Sequence, residues 1–439
     1  MKKPNILVLF SDQQRWDTLG CYNPSADFTP QLDRLATEGV RFEKAFTCQP
    51  VCCPARACLQ TGLYATQTGC YRNGIPLTLP QSVPTIADQF HENGYETAYI
   101  GKWHLSSTGT QPVPPGLRGG YRDYWLAVDT LEFSSTGTDG GYMFDIDGKR
   151  VDFSGYRVDS QTDLVLDYLR DRASDRPFFL FVSYLEPHHQ NDAGHYQGPP
   201  GSKERFGAYP VPEDLRRHPG GDWAREYPDY LGCCASLDGN AGRIIQALKD
   251  LGLYEDTLIA YTSDHGSHFR TRNNEYKRAC HDGCTRIPML LRGPGFTGGK
   301  VLEEMASLVD LPATLLRAGG MEIPPALQGN PLQRLAAGDS EGWPQDVFIQ
   351  ISETQVGRAL RTKKWKYSVR APRRNGWLHA DAKTYREEFL YDLESDPHEL
   401  VNLVRREGYE EVRAQLRERL IERMLEAGEP APVILEARK

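Results

Sequence analysis

Three mostly apolar runs constrain the fold of this chain more than any other feature. They cover residues 6–10, 177–184 and 256–262, and each is followed at once by a polar cluster. A strand that is apolar at nearly every position is typical of a sheet covered on both faces. Helical patterns lie between the runs, for example over residues 160–173. The sequence therefore predicts an α/β fold with a mostly parallel central sheet flanked by helices.

The pattern changes from about residue 346. Four short strand-like segments joined by turns are typical of an antiparallel sheet, and they cover residues 347–351, 358–361, 365–369 and 388–391. An amphipathic helix over residues 410–427 closes the chain. A chain of 439 residues is long enough for two domains. We predict an α/β domain over residues 1–345 and a smaller α+β subdomain over residues 346–439.

The composition, 39% hydrophobic and 25% charged, is that of an ordinary globular protein. The net charge of −8 gives no general reason to expect nucleic acid or a membrane surface as a partner. No run is long enough to span a bilayer, and the apolar run near Met1 has no small-residue cleavage site after it. Ten cysteines without a signal peptide fit a reducing compartment, so we expect a cytoplasmic location unless a leader has been removed. The oligomeric state is not predicted.

The densest group of reactive residues is Cys52-Cys53-Pro54-Ala55-Arg56. Residues 40–46 alternate like a strand, and residues 55–60 favour a helix that Gly62 would end. Cys52 is thus expected where a loop enters a helix, and free backbone N–H groups at such a place attract anions. Arg56 adds a rigid fork of donors. These residue types predict a site for a nucleophile and an oxyanion.

Other polar residues follow predicted strands, where open α/β sheets place their sites. Asp12 and Gln13 follow the first run and offer oxygen ligands suited to a hard cation such as calcium. Taken singly, each such residue is as well explained as a loop cap, a surface charge or a packed imidazole. The remaining candidates, in chain order, are Lys102, His104, His188, Asp264, His265 and Lys277.

Cys52-x-Pro54-x-Arg56, followed by Thr61-Gly62, resembles the signature of the sulfatase family. The order of the other polar clusters along the chain is similar to that of the sulfatase motifs. Leu390-Tyr391-Asp392-Leu393 also resembles the C-terminal segment of that family. The resemblance covers nearly the whole chain. It implies the alkaline-phosphatase-like α/β fold with a smaller C-terminal antiparallel sheet domain that carries a helix.

The resemblance also implies a chemistry. In sulfatases the signature cysteine is oxidised by a formylglycine-generating enzyme to formylglycine, whose hydrated aldehyde is the nucleophile, and Cys52 is the matching position. One divalent cation, usually calcium, would be held by the nucleophile at Cys52 together with Asp12, Gln13, Asp264 and His265. Relatives often have Asp in place of Gln13 and Asn in place of His265. A neutral imidazole is an uncommon calcium ligand.

The same resemblance assigns roles to the basic residues. Arg56, Lys102 and Lys277 would neutralise the sulfuryl oxygens. His188, alone or with Lys277, would protonate the leaving alcohol, and His104 would deprotonate the second hydroxyl of the nucleophile to expel sulfate. His189 lies beside His188 but does not match the motif. His281 is either a substrate contact or a core residue.

The predicted activity is hydrolysis of a sulfate ester on a small molecule or an oligosaccharide. A carbohydrate sulfate is the preferred substrate, with an aryl or alkyl sulfate as the alternative. Four aromatic residues in loop regions could stack on sugar rings, although aromatic residues more often belong to the core. They are Tyr121, Trp125, Trp223 and Trp377. The long Pro- and Gly-rich stretch over residues 190–227 is predicted to be a loop that lines the substrate.

Three other functions are open on sequence grounds. A phosphonate monoester or phosphodiester hydrolase would share the nucleophile, the metal site and the fold. A zinc-binding interaction protein could be built on Cys48, Cys52, Cys53 and Cys58, although their spacing lacks the usual zinc-finger pattern. A chain with the same fold but an unmodified Cys52 would not turn over sulfate esters by the formylglycine route.

Overall fold

The computed structural model describes residues 3–79, 83–172, 175–218 and 220–438. Its largest feature is a sheet of 11 strands, β1–β11. In chain order these strands are Asn5–Ser11, Val40–Phe46, Glu96–Lys102, Tyr124–Val128, Ser135–Thr136, Gly140–Asp145, Arg150–Phe153, Phe178–Ser183, Thr257–Ser263, Met289–Arg292 and Lys300–Ser307. Their order across the sheet is β11-β2-β10-β9-β1-β8-β3-β4-β6-β5, and β7 pairs with β6.

The centre of this sheet is parallel. β1 lies between β8 and β9, with Phe10 opposite Ser183 and Ser11 opposite Ser263. β3 extends the parallel set on the other side of β8, with Gly101 opposite Ser183. A Cβ atom at Gly101 would lie 2.0 Å from the Ser183 carbonyl oxygen, so only glycine fits there. The carboxyl ends of β1, β3, β8 and β9 therefore meet at one edge of the sheet, which is where the polar clusters begin.

Helices cover both faces of the sheet. In chain order α1–α13 are Pro30–Glu38, Cys52–Thr61, Ala65–Thr68, Ile86–Glu92, Leu131–Ser134, Arg157–Asp171, Ser202–Phe206, Glu213–Arg216, Trp223–Asp250, Asp282–Thr285, Asp310–Ala318, Gln333–Ala336 and Glu410–Glu426. Alternate residues of β1 enter different cores: Val8 packs in the cluster that contains α2, whereas Leu9 packs in the cluster that contains α6 and α9. Burial of β1 on both faces explains its apolar sequence.

A second sheet of five strands, β12–β16, forms the C-terminal part. These strands are Asp346–Ile351, Gly357–Thr362, Trp365–Arg370, Thr384–Asp392 and Val433–Leu435. The first four pair antiparallel in sequential order, and β16 is parallel to β15. The predicted fold class is confirmed. A small apolar cluster joins the sheets, with Phe46 and Met305 packed against Ile349. The division into domains after residue 345 stays a prediction.

One detail of the predicted organisation is wrong. The stretch over residues 190–227 is not loop throughout, because α9 already begins at Trp223 and continues through Pro228. Tyr227 and Tyr230 pack in an aromatic cluster with Phe269, and this packing stabilises the first turns in spite of the proline. The Gly-rich region after residue 116, which the strand predictions do not cover, contains β4.

The helix predicted over residues 160–173 is observed as α6, Arg157–Asp171. Ala173, the last residue of that prediction, lies outside the described residues. Among the helices that the structure describes, none is both long enough and apolar enough to cross a membrane.

Candidate active site

Cys52 is the first residue of α2, and its side chain is fully buried. Val51 before it is extended, and Gly62 ends the helix with a left-handed φ of 72°, which glycine adopts readily. The Cys52 Sγ atom lies 2.7 Å from Lys277 Nζ, 3.3 Å from His265 Nε2 and 3.4 Å from Asp12 Oδ1. Three residues that are distant in sequence thus converge on one sulfur atom.

A group of four potential metal ligands surrounds this sulfur. One donor atom from each of Asp12, Cys52, Asp264 and His265 lies within 4.8 Å of the others. Cys48, Cys53 and Cys58 belong to no such group in the described part of the chain, so the structure offers no support for a zinc cluster built on the neighbouring cysteines. The four residues follow β1, β9 and the loop before α2, which is where strand ends meet.

The chemistry of this group fits a divalent cation. Gln13 Oε1 and Asp264 Oδ2 are buried and accept no hydrogen bond from the described residues, and buried oxygens without donors are costly unless a ligand satisfies them. Burial and the charge of Asp12 raise the pKa of Asp264 to about 7. A cation between the two carboxylates would relieve this repulsion. Carboxylate and amide oxygens are ligands that hard cations prefer.

Two backbone features hold the ligands in place. Gln13 has a φ of 69°, an uncommon conformation for a residue other than glycine. Its N–H group donates to Asp264 Oδ1 at 2.9 Å. His265 Nδ1 lies 2.9 Å from the Gly266 carbonyl oxygen, which places a proton on Nδ1 and leaves the Nε2 lone pair directed at the cluster. Metal-bound histidines commonly have such a partner.

Two cations bind the far side of Asp12. Arg56 Nη2 donates to Asp12 Oδ2 at 2.9 Å, and Arg56 Nη1 donates to Ser183 Oγ at 2.7 Å. Lys102 Nζ lies 2.9 Å from Asp12 Oδ2 and 3.6 Å from Glu132 Oε2. Burial and Cys52 raise the pKa of Asp12, but Lys102, His188 and Arg56 outweigh them and hold it well below its ordinary value. Asp12 is therefore a fixed negative charge.

The other basic residues lie on the open side of Cys52. His188 Nε2 is 3.2 Å from Lys277 Nζ, and His188 Nδ1 is 2.6 Å from the His189 carbonyl oxygen. Burial, Lys102 and Lys277 lower the pKa of His188. His104 is half-buried with a φ of 60°. Both histidines line a cavity of about 410 Å³ that ends at Cys52, so the structure brings every predicted site residue to this cavity or to its floor.

The electrostatic environment favours an anion at position 52. Burial raises the pKa of the Cys52 thiol, but the charges of Lys277, Lys102 and His265 outweigh burial and lower that pKa well below its ordinary value. The nearby His104 side chain lowers that pKa further. The same charges would stabilise any negatively charged group that reacts at this position.

Several residues considered from sequence lie elsewhere. His189 stacks on Tyr276, and His281 is buried beside Tyr391, so His281 is a core residue. Tyr121 and Trp125 are buried in the core. Of the four aromatic candidates, Trp377 lines the Cys52 cavity, and 43% of it is exposed.

Sequence reasoning missed Glu132, Ser183 and Tyr276. Glu132 follows β4 and its carboxylate faces Lys102, so recognition of β4 would have placed it at a strand end like the others. Burial raises the pKa of Glu132, but Lys102, His188 and His104 lower it to about 2. Ser183 is the last residue of β8 and anchors Arg56. Tyr276 precedes Lys277 in the cavity wall, and no local pattern indicates its role.

Comparison with known proteins gives a consistent result. The family model described as Sulfatase matches residues 4–321, and the model described as N-sulphoglucosamine sulphohydrolase, C-terminal, matches residues 274–426. The chain is 29% identical to an uncharacterized sulfatase, YidJ, of Escherichia coli, over 98% of this chain and 89% of that protein. It is 24% identical to an N-acetylglucosamine-6-O-sulfatase of Bacteroides thetaiotaomicron, over 96% of this chain and 86% of that protein.

Solved structures show the same fold. A putative sulfatase from Bacteroides fragilis superposes with a TM-score of 0.82 at 26% identity, over 98% of this chain and 97% of that chain. A phosphonate monoester hydrolase of Agrobacterium radiobacter superposes with a TM-score of 0.69 at 23% identity, over 97% of this chain and 96% of that chain. The second similarity concerns the fold alone.

Proposed function

The chain belongs to the sulfatase family and is a sulfuric ester hydrolase, and from that premise we propose that it removes sulfate from a carbohydrate with formylglycine formed from Cys52. The observation that carries the proposal is the convergence of Asp12, Lys277 and His265 on the Cys52 side chain at the end of one cavity.

Formylglycine would supply a hydrated aldehyde as nucleophile, and a divalent cation, for which we propose calcium, would supply Lewis-acid chemistry beside it. The residues that would hold the cation, together with position 52, are Asp12, Gln13, Asp264 and His265. Because Cys52 is fully buried in the folded chain, we expect the formylglycine-generating enzyme to act before folding is complete.

The chain's own residues would bind and orient the sulfate. Lys277 Nζ, which lies 2.7 Å from Cys52 Sγ, and Lys102, whose charge also acts on position 52, would present positive charge to the sulfuryl oxygens. Arg56 is held by Asp12 and Ser183, so its charge is fixed at the floor. Charges that are fixed before the reaction stabilise a transition state without the cost of reorganisation.

His188 and His104 are placed to move protons. His188 Nδ1 carries its proton toward the His189 carbonyl group, so Nε2 faces Lys277 Nζ at 3.2 Å. A proton shared between these two groups would be available to a leaving alcohol on the open side of the cavity. His104 lines the same cavity as Cys52, where it would accept a proton during release of sulfate.

Trp377 supports a carbohydrate as the substrate. Its ring lies at the rim of the Cys52 cavity with 43% of its surface exposed. The guanidinium groups of Arg72 and Arg278 each lie 5.8 Å from the ring centroid, which restricts its orientation. A partly exposed, oriented aromatic ring is a platform for the apolar face of a sugar. The name of the N-acetylglucosamine-6-O-sulfatase relative points to the same substrate class.

Two measurements test the proposed function. The first compares kcat/KM for sulfated monosaccharides, 4-nitrophenyl sulfate and a phosphonate monoester with the same leaving group. We expect the sugar sulfates to give the highest values, and a preference for the phosphonate ester would identify a phosphonate hydrolase instead. The second is the mass of the peptide that contains Cys52. Formylglycine replaces sulfur by oxygen and removes two hydrogens, so the peptide becomes lighter, whereas an unmodified mass in active enzyme would contradict the proposal.

Trp377 provides a test of the sugar platform. We expect Trp377→Ala to raise KM for the sugar sulfate by about two- to tenfold with little change in kcat, because an aromatic contact is worth about 0.5–1.5 kcal/mol. Trp377→Phe should retain most of the affinity. Leu378→Ala is the matched control, because Leu378 is the exposed neighbour that does not line the cavity. An equal effect in Leu378→Ala would remove the role given to Trp377.

A further inference from the structure

A second cavity, of about 570 Å³, lies on the C-terminal sheet and is lined mainly by arginine. We call it the arginine cleft, and its arginines are Arg370, Arg373, Arg386, Arg405 and Arg438. They come from β14, from the loop that follows it, from β15 and from two later segments. Five arginines around one cavity are unusual in a chain whose net charge is −8.

Most of this positive charge is not neutralised within the described residues. Arg373, Arg405 and Arg438 have no side-chain hydrogen bond or ion pair there. Arg370 Nη1 lies 3.5 Å from Glu388 Oε1, and Arg386 Nη1 donates to the Glu436 carbonyl oxygen. The cleft is therefore an electropositive concavity, which attracts anions and raises their local concentration.

The acidic residues of the cleft change this balance little. Glu387 is buried and forms an ion pair with Arg417, which does not line the cleft; Arg417 Nη2 lies 2.7 Å from Glu387 Oε1. Glu388 is half-buried, and burial raises its pKa. Neither carboxylate is placed to pair with Arg373, Arg405 or Arg438, since the structure gives none of those arginines an ion pair in the described part.

The arginine cleft is connected to the Cys52 cavity by one loop. Arg373 lines the cleft and Trp377 lines the Cys52 cavity, and both lie between β14 and β15. Four residues of fully extended chain span at most about 14 Å, so the two Cα atoms can be no farther apart than that. A polymer that is bound at Trp377, at the rim of the Cys52 cavity, could therefore extend from there to the arginine cleft.

We propose that the arginine cleft binds an anionic polysaccharide through its sulfate or carboxylate groups while a sulfate ester of the same chain enters the Cys52 cavity. The proposal rests on the proposed function for the identity of the polymer. Guanidinium groups bind sulfate and carboxylate with paired hydrogen bonds. Among the described residues that line the cleft, Phe389 is the one aromatic residue, and it is half-buried. The cleft therefore offers little stacking surface for the bases of a nucleic acid.

The test is binding of dextran sulfate to the full-length enzyme at low and moderate salt. We expect the double variant Arg373→Glu/Arg405→Glu to bind about tenfold more weakly and to show a shallower salt dependence. The matched control is Arg34→Glu/Arg317→Glu, which changes the net charge equally at two exposed arginines that also lack ion pairs in the described residues. Equal losses in both variants, or no loss in either, would overturn the proposal.

Further assays distinguish the possible ligands of the cleft from one another, and they distinguish failure of the cleft proposal from failure of the proposed function. Hydrolysis of 4-nitrophenyl sulfate reports on the Cys52 cavity alone, and we expect its kcat/KM to be unchanged in both double variants. Absence of hydrolysis of both 4-nitrophenyl sulfate and the sulfated monosaccharides in the wild-type enzyme would refute the proposed function and not the cleft. A carboxylated polymer without sulfate, such as polygalacturonate, tests whether carboxylate suffices. Single-stranded DNA that binds as tightly as dextran sulfate, with the same loss in Arg373→Glu/Arg405→Glu, would replace the polysaccharide by nucleic acid.

Discussion

Two buried clusters of charged residues in this molecule differ in one respect. The Cys52 cluster consists of Asp12, Gln13, Cys52, Arg56, Lys102, Asp264, His265 and Lys277. The Lys366 cluster consists of Asp282, Arg361, Lys366 and Glu399. Both are almost completely shielded from solvent, so burial does not distinguish a site from a structural network.

The two clusters differ in whether each buried polar atom has a hydrogen-bond partner. Lys366 Nζ donates to Asp282 Oδ1 at 2.6 Å and to Glu399 Oε1 at 2.9 Å, and Glu399 Oε2 accepts from the Asp282 N–H group. No side-chain atom of the Lys366 cluster is without a partner, whereas the Cys52 cluster leaves Gln13 Oε1 and Asp264 Oδ2 without donors among the described residues. The complete Lys366 network stabilises the fold by itself, whereas the two unpaired oxygens beside Cys52 would be satisfied by a bound cation.

The largest expected effect concerns the nucleophile. Cys52→Ala should lower kcat for sulfate esters by roughly four orders of magnitude or more, because removal of a covalent nucleophile leaves only the surrounding electrostatics. The fold should stay intact by circular dichroism. Cys53→Ala is the control, since Cys53 is the next residue and equally buried but packs in the apolar core. Activity close to wild type in Cys52→Ala would refute the assignment of the nucleophile.

A pair of lysines tests the comparison directly. Lys366→Met should lower the free energy of unfolding by about 3–5 kcal/mol, because it leaves the Asp282 and Glu399 carboxylates buried without their shared cation. Lys277→Met should reduce activity strongly but change the free energy of unfolding much less. Urea denaturation together with kcat gives both readouts. If Lys277→Met unfolds the protein as readily as Lys366→Met, the two clusters do not differ as described.

Calcium should stabilise the Cys52 cluster and not the Lys366 cluster. At about 100 times its Kd, a cation that binds only the folded chain adds about 2.7 kcal/mol to the free energy of unfolding. We expect calcium to raise Tm of the wild-type protein and of Asp282→Asn, but not that of Asp264→Asn. A parallel titration with manganese, read out as the change in Tm, tests whether a site that includes the imidazole of His265 binds that cation as well as it binds calcium. An equal rise of Tm in Asp264→Asn would place the cation elsewhere.

The fold and the floor of the site were predictable because they follow from one regularity. Asp12, Lys102 and Asp264 lie directly at the ends of apolar strands, and parallel strands bring their ends to one edge. Lys277 lies in a long loop, and only the family resemblance indicated it. At the rim, Trp377 was one of four aromatic candidates, and the sequence could not single it out, since it reaches the cavity from the second sheet. No local pattern specifies how two sheets pack against each other.

The smallest expected effect concerns how the free energy of unfolding depends on pH. This dependence should differ between a carboxylate in the Lys366 cluster and one in an exposed ion pair. Burial raises the pKa of Asp282, but Arg361 and Lys366 outweigh it and hold the pKa well below its ordinary value of 3.8. A carboxyl group with a depressed pKa stabilises the fold above 3.8, and this stabilisation is lost as the pH falls further, by at most about 1.4 kcal/mol per pH unit. In Asp282→Asn the free energy of unfolding should therefore fall less steeply below pH 4 than in the wild type. Asp339→Asn, which breaks an exposed ion pair with Arg334, should keep the wild-type slope. An unchanged slope in Asp282→Asn would mean that the network does not hold this carboxylate in its charged form.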